Sequence, residues 1–260
     1  MRVVSLCPSN TEVIAYLGLE DLLVGVDDFS DWPSIVQRLP KLGPDLSIDL
    51  DLVEALQPDL VLASLSVPGM ERNIEGLQKR GIPHLILNPQ SLEDIKNDLI
   101  LTADRLGYPK RGKEAAKQFQ ERLEKVRLAN KSDFPIPSLY WEWWPKPIFS
   151  PGKINWLTEI SEIAGAKNVF ADINKASVQT DWEDVLSRKP DFICLAWVGV
   201  RHEKVNPTLV MKRPGWRELQ AENKGKVIVL EEELYCRPSP RLLDGLEKLS
   251  KILINLRYTK

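Results

Sequence analysis

Histidine and cysteine are scarce in this chain, and their scarcity removes whole classes of function. Two histidines, His84 and His202, and three cysteines, Cys7, Cys194 and Cys236, stand among 260 residues. The cysteines are odd in number, scattered, and never spaced Cys-x-x-Cys. Neither a disulfide framework nor a zinc site is expected, and the thiols read as small buried hydrophobes. Basic excess is missing too. The formal charge is −2 and the pI about 5.9, which excludes the electrostatic footprint of a nucleic-acid binder. No apolar run approaches the roughly 18 residues of a membrane-spanning helix. The sequence has no GxSxG elbow, no HExxH, no Walker P-loop and no Gly-rich dinucleotide fingerprint, so no catalytic residue is assigned. Nor is there an apolar leader: MRVVSLCPSNTE runs directly into strand-like sequence, with no h-region or cleavage site. Read as it stands the chain is expected in the cytoplasm; with a leader ahead of it, it is extracytoplasmic, periplasmic or lipid-anchored.

What is present in excess is tryptophan in one place. Four of the eight tryptophans fall in LYWEWWPKPIFSPGKINW, residues 139–156. Alternation along SLYWEWWP puts Trp141 and Trp143 on one face, so at least one of Trp141, Trp143 and Trp144 is expected in the core. The others lie near a strand end, where indole offers a broad apolar wall and one N–H donor. Trp182 and Trp216 fall in helix-start and loop contexts that favour packing.

Strand-like and helix-like segments alternate. Val3–Leu6 reads as a strand, Thr11–Leu17 as a helix capped by Ser9 or Asn10 and ended by Gly18, and Leu22–Val26 as a second strand. Asp51–Leu56 is a helical turn, LVLAS a strand after Pro58-Asp59, Met70–Arg80 a helix and HLILN another strand. Such alternation predicts an α/β fold with a mainly parallel sheet. Residues 92–131 are rich in helix formers, broken at Tyr108-Pro109, and the later piece suits one long connecting helix. The second half then echoes the first: Thr158-Glu159…Gly165 parallels Thr11-Glu12…Gly18, and Pro190-Asp191 parallels Pro58-Asp59. Two similar α/β lobes are expected: residues 1–109, a connecting helix 110–131, and residues 132–260.

Open α/β sheets bind ligands beyond the carboxyl ends of their strands. Those ends read Cys7–Asn10, Asp27–Pro33, Ser64–Gly69, Trp141–Pro145, Trp197–Val200 and Leu234–Pro238, and four of the six carry Trp or Tyr. Asp27, Asp28 and Asp31 read as a solvated acidic edge, as do Glu231, Glu232 and Glu233, and no protein metal site is expected.

RVVSLCPSNTEVIAYLG, VGVDDFSDWP, the Pro-Asp strand and CRPSPRLLDGLEKL together resemble the vitamin B12 (cobalamin) binding proteins of ABC importers. These belong to the clamp-like class III substrate-binding proteins, which also include iron–siderophore and haem binders. The resemblance covers essentially the whole chain. It implies two Rossmann-like lobes joined by a single long helix, a corrinoid in the cleft between lobes, no catalysis, and no cofactor beyond the cobalamin ligand, whose metal arrives inside it. By match, Trp32 packs on the corrin, Ser64 and Leu65 follow the Pro-Asp strand, and Tyr235 is the aromatic of the last loop. The expected ligand set is Pro8, Asn10, Trp32, Ser64, Leu65, Trp143, Trp144, Trp197, Tyr235 and Arg237, with Asn10 and Arg237 as polar anchors. An ABC permease subunit is the implied partner, docking on Asp51 and, because Cys236 replaces the second-lobe acid, on Glu233. A monomer is expected. The alternatives are a ferric siderophore or haem binder of the same class, or a cytosolic corrinoid carrier, sensor or enzyme.

Overall fold

A computed structural model describes residues 1–130, 135–221 and 224–258. The expected helix end at 131, the lobe boundary at 132 and the last residue, 260, lie outside the described residues. The chain divides into two compact units, residues 1–120 with 238–240, and residues 121–237 with 241 onward.

The first unit holds β1 (Val3–Ser5), α1 (Pro8–Tyr16), β2 (Leu23–Val26), α2 (Leu50–Ala55), β3 (Leu60–Ser64), α3 (Glu71–Lys79), β4 (His84–Leu87), α4 (Leu92–Arg105) and the first half of α5 (Pro109–Ala129). Its sheet is parallel throughout, in the order β2-β1-β3-β4. β1 and β3 are apolar on both faces because helices cover both sides of such a sheet. The first helix begins at Pro8, earlier than Thr11. Pro fixes φ near the helical value and lacks only an N–H that a first turn leaves unpaired, while Cys7 takes the extended capping conformation. Asn10 is therefore inside the helix, and Gly18, at φ 64°, closes it. Asp49 caps α2, and Ser91 with Asp94 forms a reciprocal capping box at the start of α4. The break at Tyr108-Pro109 separates α4 from α5, and the division into units falls within α5.

The second unit contains β5 (Ser138–Glu142), β6 (Trp144–Pro145), β7 (Ile148–Pro151), α6 (Trp156–Ile163), β8 (Lys167–Asn168), β9 (Ser177–Thr180), α7 (Trp182–Ser187), β10 (Phe192–Leu195), α8 (Thr208–Met211), α9 (Trp216–Ala221), β11 (Lys226–Val229), α10 (Glu232–Tyr235) and α11 (Leu242–Tyr258). Its main sheet, β11-β10-β5-β8, is parallel. Counting only the strands of each parallel sheet in chain order, both sheets have the order second-first-third-fourth, so the sequence echo is a repeat of topology. The repeat extends to single atoms. Asp59 Oδ2 accepts from the Arg2 amide at 2.6 Å, and Asp191 Oδ2 accepts from the Ser138 amide at 2.7 Å, each tying the start of a third strand to the start of a first. The residue before each Pro-Asp pair, Gln57 and Lys189, has positive φ, 47° and 44°. A small antiparallel sheet, β6-β7-β9, is an addition the alternation did not predict. Of the three prolines in WWPKPIFSP, Pro145 and Pro147 flank the turn between β6 and β7.

Candidate functional site

In the first unit the carboxyl ends of β1, β2 and β3 bring together Pro8, the loop 27–33 and Ser64-Leu65. Pro8 is half-buried at the head of α1. Asn10 faces inward, its amide donating to the Ala63 carbonyl at 3.0 Å, which commits the expected polar anchor to joining α1 and β3. Ser64 is buried, its hydroxyl accepting from the Ser66 amide at 3.0 Å, and half-buried Leu65 packs on the core of its unit. Trp32 is 37% exposed, and Phe29, which the sequence reading passed over, is 52% exposed. These aromatics stand in solvent on a rigid support. Asp27 Oδ2 accepts from the amides of Phe29 and Ser30 at 2.8 and 3.1 Å, and Lys41 Nζ donates to the Ser30 carbonyl at 2.7 Å. Asp28 Oδ1 accepts from the Gly43 amide at 3.0 Å. The solvated acidic edge holds for the exposed Asp28 and Asp31 but not for Asp27, which is fully buried, and burial pushes its carboxyl up to about 6 against the opposing hydrogen bonds from Ser30 and Phe29.

In the second unit the aromatic stretch separates by face. Trp141 is buried, donating from Nε1 to Ser161 Oγ at 2.9 Å, and half-buried Trp143 lies with its ring centroid 5.9 Å from that of Trp156. Both rings therefore pack toward α6, while Trp144, on the opposite face, is 43% exposed. Its indole donates to the Lys146 carbonyl at 3.0 Å, which fixes the ring's edge and leaves its face open. Trp197 and Tyr235 are buried where ligand walls were expected. Tyr235 sits in α10, its ring 5.5 Å from Trp141 and its hydroxyl donating to the Gly245 carbonyl at 2.7 Å. Arg237, half-buried, pairs with Glu232 at 3.3 Å.

Trp197 is held by a group that the sequence reading missed. At the carboxyl end of β5, Glu142 is fully buried and meets four donors: Arg213 twice, at 2.6 and 3.0 Å, Tyr140 Oη at 2.7 Å and Trp197 Nε1 at 3.1 Å. A bidentate guanidinium with two neutral donors satisfies a buried carboxylate completely. Arg213 also lies over the Trp182 ring, 5.0 Å from its centroid. Of the acidic run 231–233, Glu231 pairs with Lys248 and Glu232 with Arg237, so it too is structural rather than solvated. Glu233 is half-buried, whereas Asp51 is exposed and pairs with Arg80 at 2.6 Å.

Cys7 and Cys194 are buried thiols and Cys236 is half-buried, its Sγ donating to the Ala196 carbonyl at 3.2 Å. Among the described residues no group of three His, Cys, Asp or Glu side chains is arranged to hold a metal ion, and no helix is long and apolar enough to cross a membrane.

Two parallel sheets of one topology, one in each unit, set the fold class, and the family comparison sets the class of protein. The chain belongs to the periplasmic binding protein family, whose model matches residues 3–234. It is 32% identical, over 96% of its length and 79% of the relative's, to an uncharacterized ABC transporter substrate-binding lipoprotein of Bacillus subtilis. It is 30% identical, over 94% of its length and 86% of the relative's, to the vitamin B12-binding protein of Vibrio parahaemolyticus. Among solved structures it resembles the periplasmic vitamin B12 binding protein BtuF of Vibrio cholerae at 27% identity, with a TM-score of 0.79 over 99% of this chain and 98% of the other. A periplasmic heme binding protein of Pseudomonas aeruginosa gives 0.81 at 25% identity, over 96% and 91%.

Proposed function

We propose that this chain binds one corrinoid, a cobalamin or cobinamide, as the substrate-binding component of an ABC-type importer acting outside the cytoplasmic membrane. The observation that carries the reading is the placing of exposed aromatics, Phe29 and Trp32 in one unit and Trp144 in the other, at strand carboxyl ends. The chain around them is 30% identical over nearly its whole length to a vitamin B12-binding protein. Flat apolar faces suit a macrocycle, because they bury area at little rotamer cost. The ligand-touching residues on this reading are Pro8, Phe29, Trp32 and Trp144, with Trp143 backing the hairpin from its inner face. Asn10, Trp197 and Tyr235 act from behind, by holding the elements that carry them. Arg237 is already paired with Glu232, which favours a ligand without carboxylates over haem or an anionic ferric siderophore. Asp51 and Glu233 are the proposed contacts to a permease subunit.

The direct test is retention of colour. After mixing with cyanocobalamin and desalting, the protein fraction is expected to keep the corrin visible bands at one per chain. A colourless fraction after cyanocobalamin and a coloured one after haemin would move the assignment to the haem binders of the same fold.

A further inference from the structure

The loop after β2 sets exposed aromatics on a buried polar base, and the protons in that base can be counted. Asp27, Ser30, Thr11 and Ser5 are all buried. Oxygen–oxygen contacts join them in a line: the Cys7 carbonyl to Ser5 Oγ at 3.1 Å, Ser5 Oγ to Thr11 Oγ1 at 2.8 Å, Thr11 Oγ1 to Ser30 Oγ at 2.7 Å, and Ser30 Oγ to Asp27 Oδ1. A hydroxyl has one proton to give. Ser5, Thr11 and Ser30 thus bring three protons to four contacts, and Thr11 Oγ1 also lies 3.3 Å from the Cys7 carbonyl. With Asp27 ionised, at least one contact opposes two lone pairs. A proton on Oδ1 closes the line. Asp27 then donates to Ser30, Ser30 to Thr11, Thr11 to Ser5 and Ser5 to the Cys7 carbonyl. Oδ2 meanwhile still accepts from the amides of Phe29 and Ser30.

We propose that Asp27 is a positioning residue for the Phe29–Trp32 loop and that it works as the neutral acid, donating its own proton into the Ser30–Thr11–Ser5 line. The corrinoid reading enters only as the identity of what the loop contacts. The surroundings fit. Lys41 Nζ donates to the carbonyls of Asp27 and Ser30 rather than to the carboxyl, and its charge opposes the neutral form only as a lesser influence than burial. Asp45 adds negative charge that favours the neutral form. Asp28 is turned to the Gly43 amide, Glu12 on α1 is bonded to Ser239 Oγ, and burial pushes the Cys7 thiol up to about 12, so it carries no charge near neutrality. Burial lifts the Asp27 carboxyl to about 6, the same direction as the proton count.

The test compares wild type, Asp27→Asn and Asp27→Ala. An amide Nδ2–H replaces the acid proton and Oδ1 still accepts from both backbone amides, so Asp27→Asn is expected to bind cyanocobalamin within about twofold of wild type, and Asp27→Ala about tenfold or more weakly. Thermal melting without ligand, from pH 5 to 8, gives a second readout. A carboxyl whose pKa is raised by folding stabilises the fold most at low pH and loses that contribution as pH rises through the folded value. Wild type is therefore expected to lose melting temperature with rising pH relative to Asp27→Asn. Asp27→Asn behaving like Asp27→Ala, with no such pH-dependent gain, would show that the carboxylate is required and overturn the proposal. If Asp27→Ala does not fold, the other two proteins decide alone. If no protein binds a corrinoid, the ligand reading fails while the melting series still settles the proton.

Discussion

At the scale of single residues, tryptophan is where sequence and structure part company. Alternation correctly separates Trp141 and Trp143 from Trp144, because side-chain period along a strand is local information. Burial is not local. Trp197 reads as a strand-end aromatic, yet its indole serves Glu142, a residue 55 positions away in the chain. Tyr235 reads as a loop aromatic, yet one turn of helix carries it into the core. Asp27 is misread in part for the same reason: Ser30 of its own loop bonds to it, but the hydroxyls behind Ser30 come from β1 and α1. These assignments lead to unequal mutational costs. Trp141→Ala is expected to lower stability by about 3–5 kcal/mol, as for a buried indole cut to a methyl. Trp144→Ala is expected to leave stability nearly unchanged and weaken corrinoid binding by about 1–3 kcal/mol, the range of an aromatic anchor. Denaturant unfolding and ligand titration on the same two variants separate the roles. Glu142→Ala leaves the Arg213 guanidinium, the Tyr140 hydroxyl and the Trp197 indole without their common acceptor. A loss of about 3–5 kcal/mol is expected for breaking such a pair from one side, and a variant as stable as wild type would show that water replaces the carboxylate.

At the scale of elements, most of the first unit is legible because each signal sits beside its cause. Gly18 ends α1 with a left-handed turn, Asp49 and Ser91 cap their helices, and Pro-Asp introduces each third strand. The β6-β7-β9 sheet is not legible in that way, since its strands are short and their partner β9 lies beyond α6 in sequence. The repeated Pro-Asp staple offers a test of its own. Gln57 and Lys189 adopt a left-handed conformation that costs an L-residue about 1–2 kcal/mol and glycine almost nothing. Set against the extra chain entropy of glycine, Lys189→Gly is expected to stabilise the protein by about 0.5–1 kcal/mol in thermal melts. Asp191→Ala, which removes the acceptor for the Ser138 amide and for Lys224 at 2.9 Å, is expected to destabilise it by about 1–3 kcal/mol. A destabilised Lys189→Gly would mean that the side chain, not the turn, matters at that position.

At the scale of the whole molecule, the two units use one topology and differ in how each builds its proposed ligand face. The first carries exposed aromatics on a loop fixed by buried hydroxyls and an acid. The second carries them on a hairpin whose inward face is tryptophan packed on α6. The class of fold was readable from alternation and the internal echo. The proposed solute rests on motifs matched across the full length, because no short constellation specifies a macrocycle. Calorimetric titration of the purified chain with cyanocobalamin bears on the ligand most directly. A single site per chain is expected, with a dissociation constant near micromolar or tighter, about −8 kcal/mol or more favourable, and with the heat diminished in Trp32→Ala. Absence of heat with cyanocobalamin and cobinamide at high micromolar protein, while haemin or a ferric hydroxamate binds under the same conditions, would contradict it.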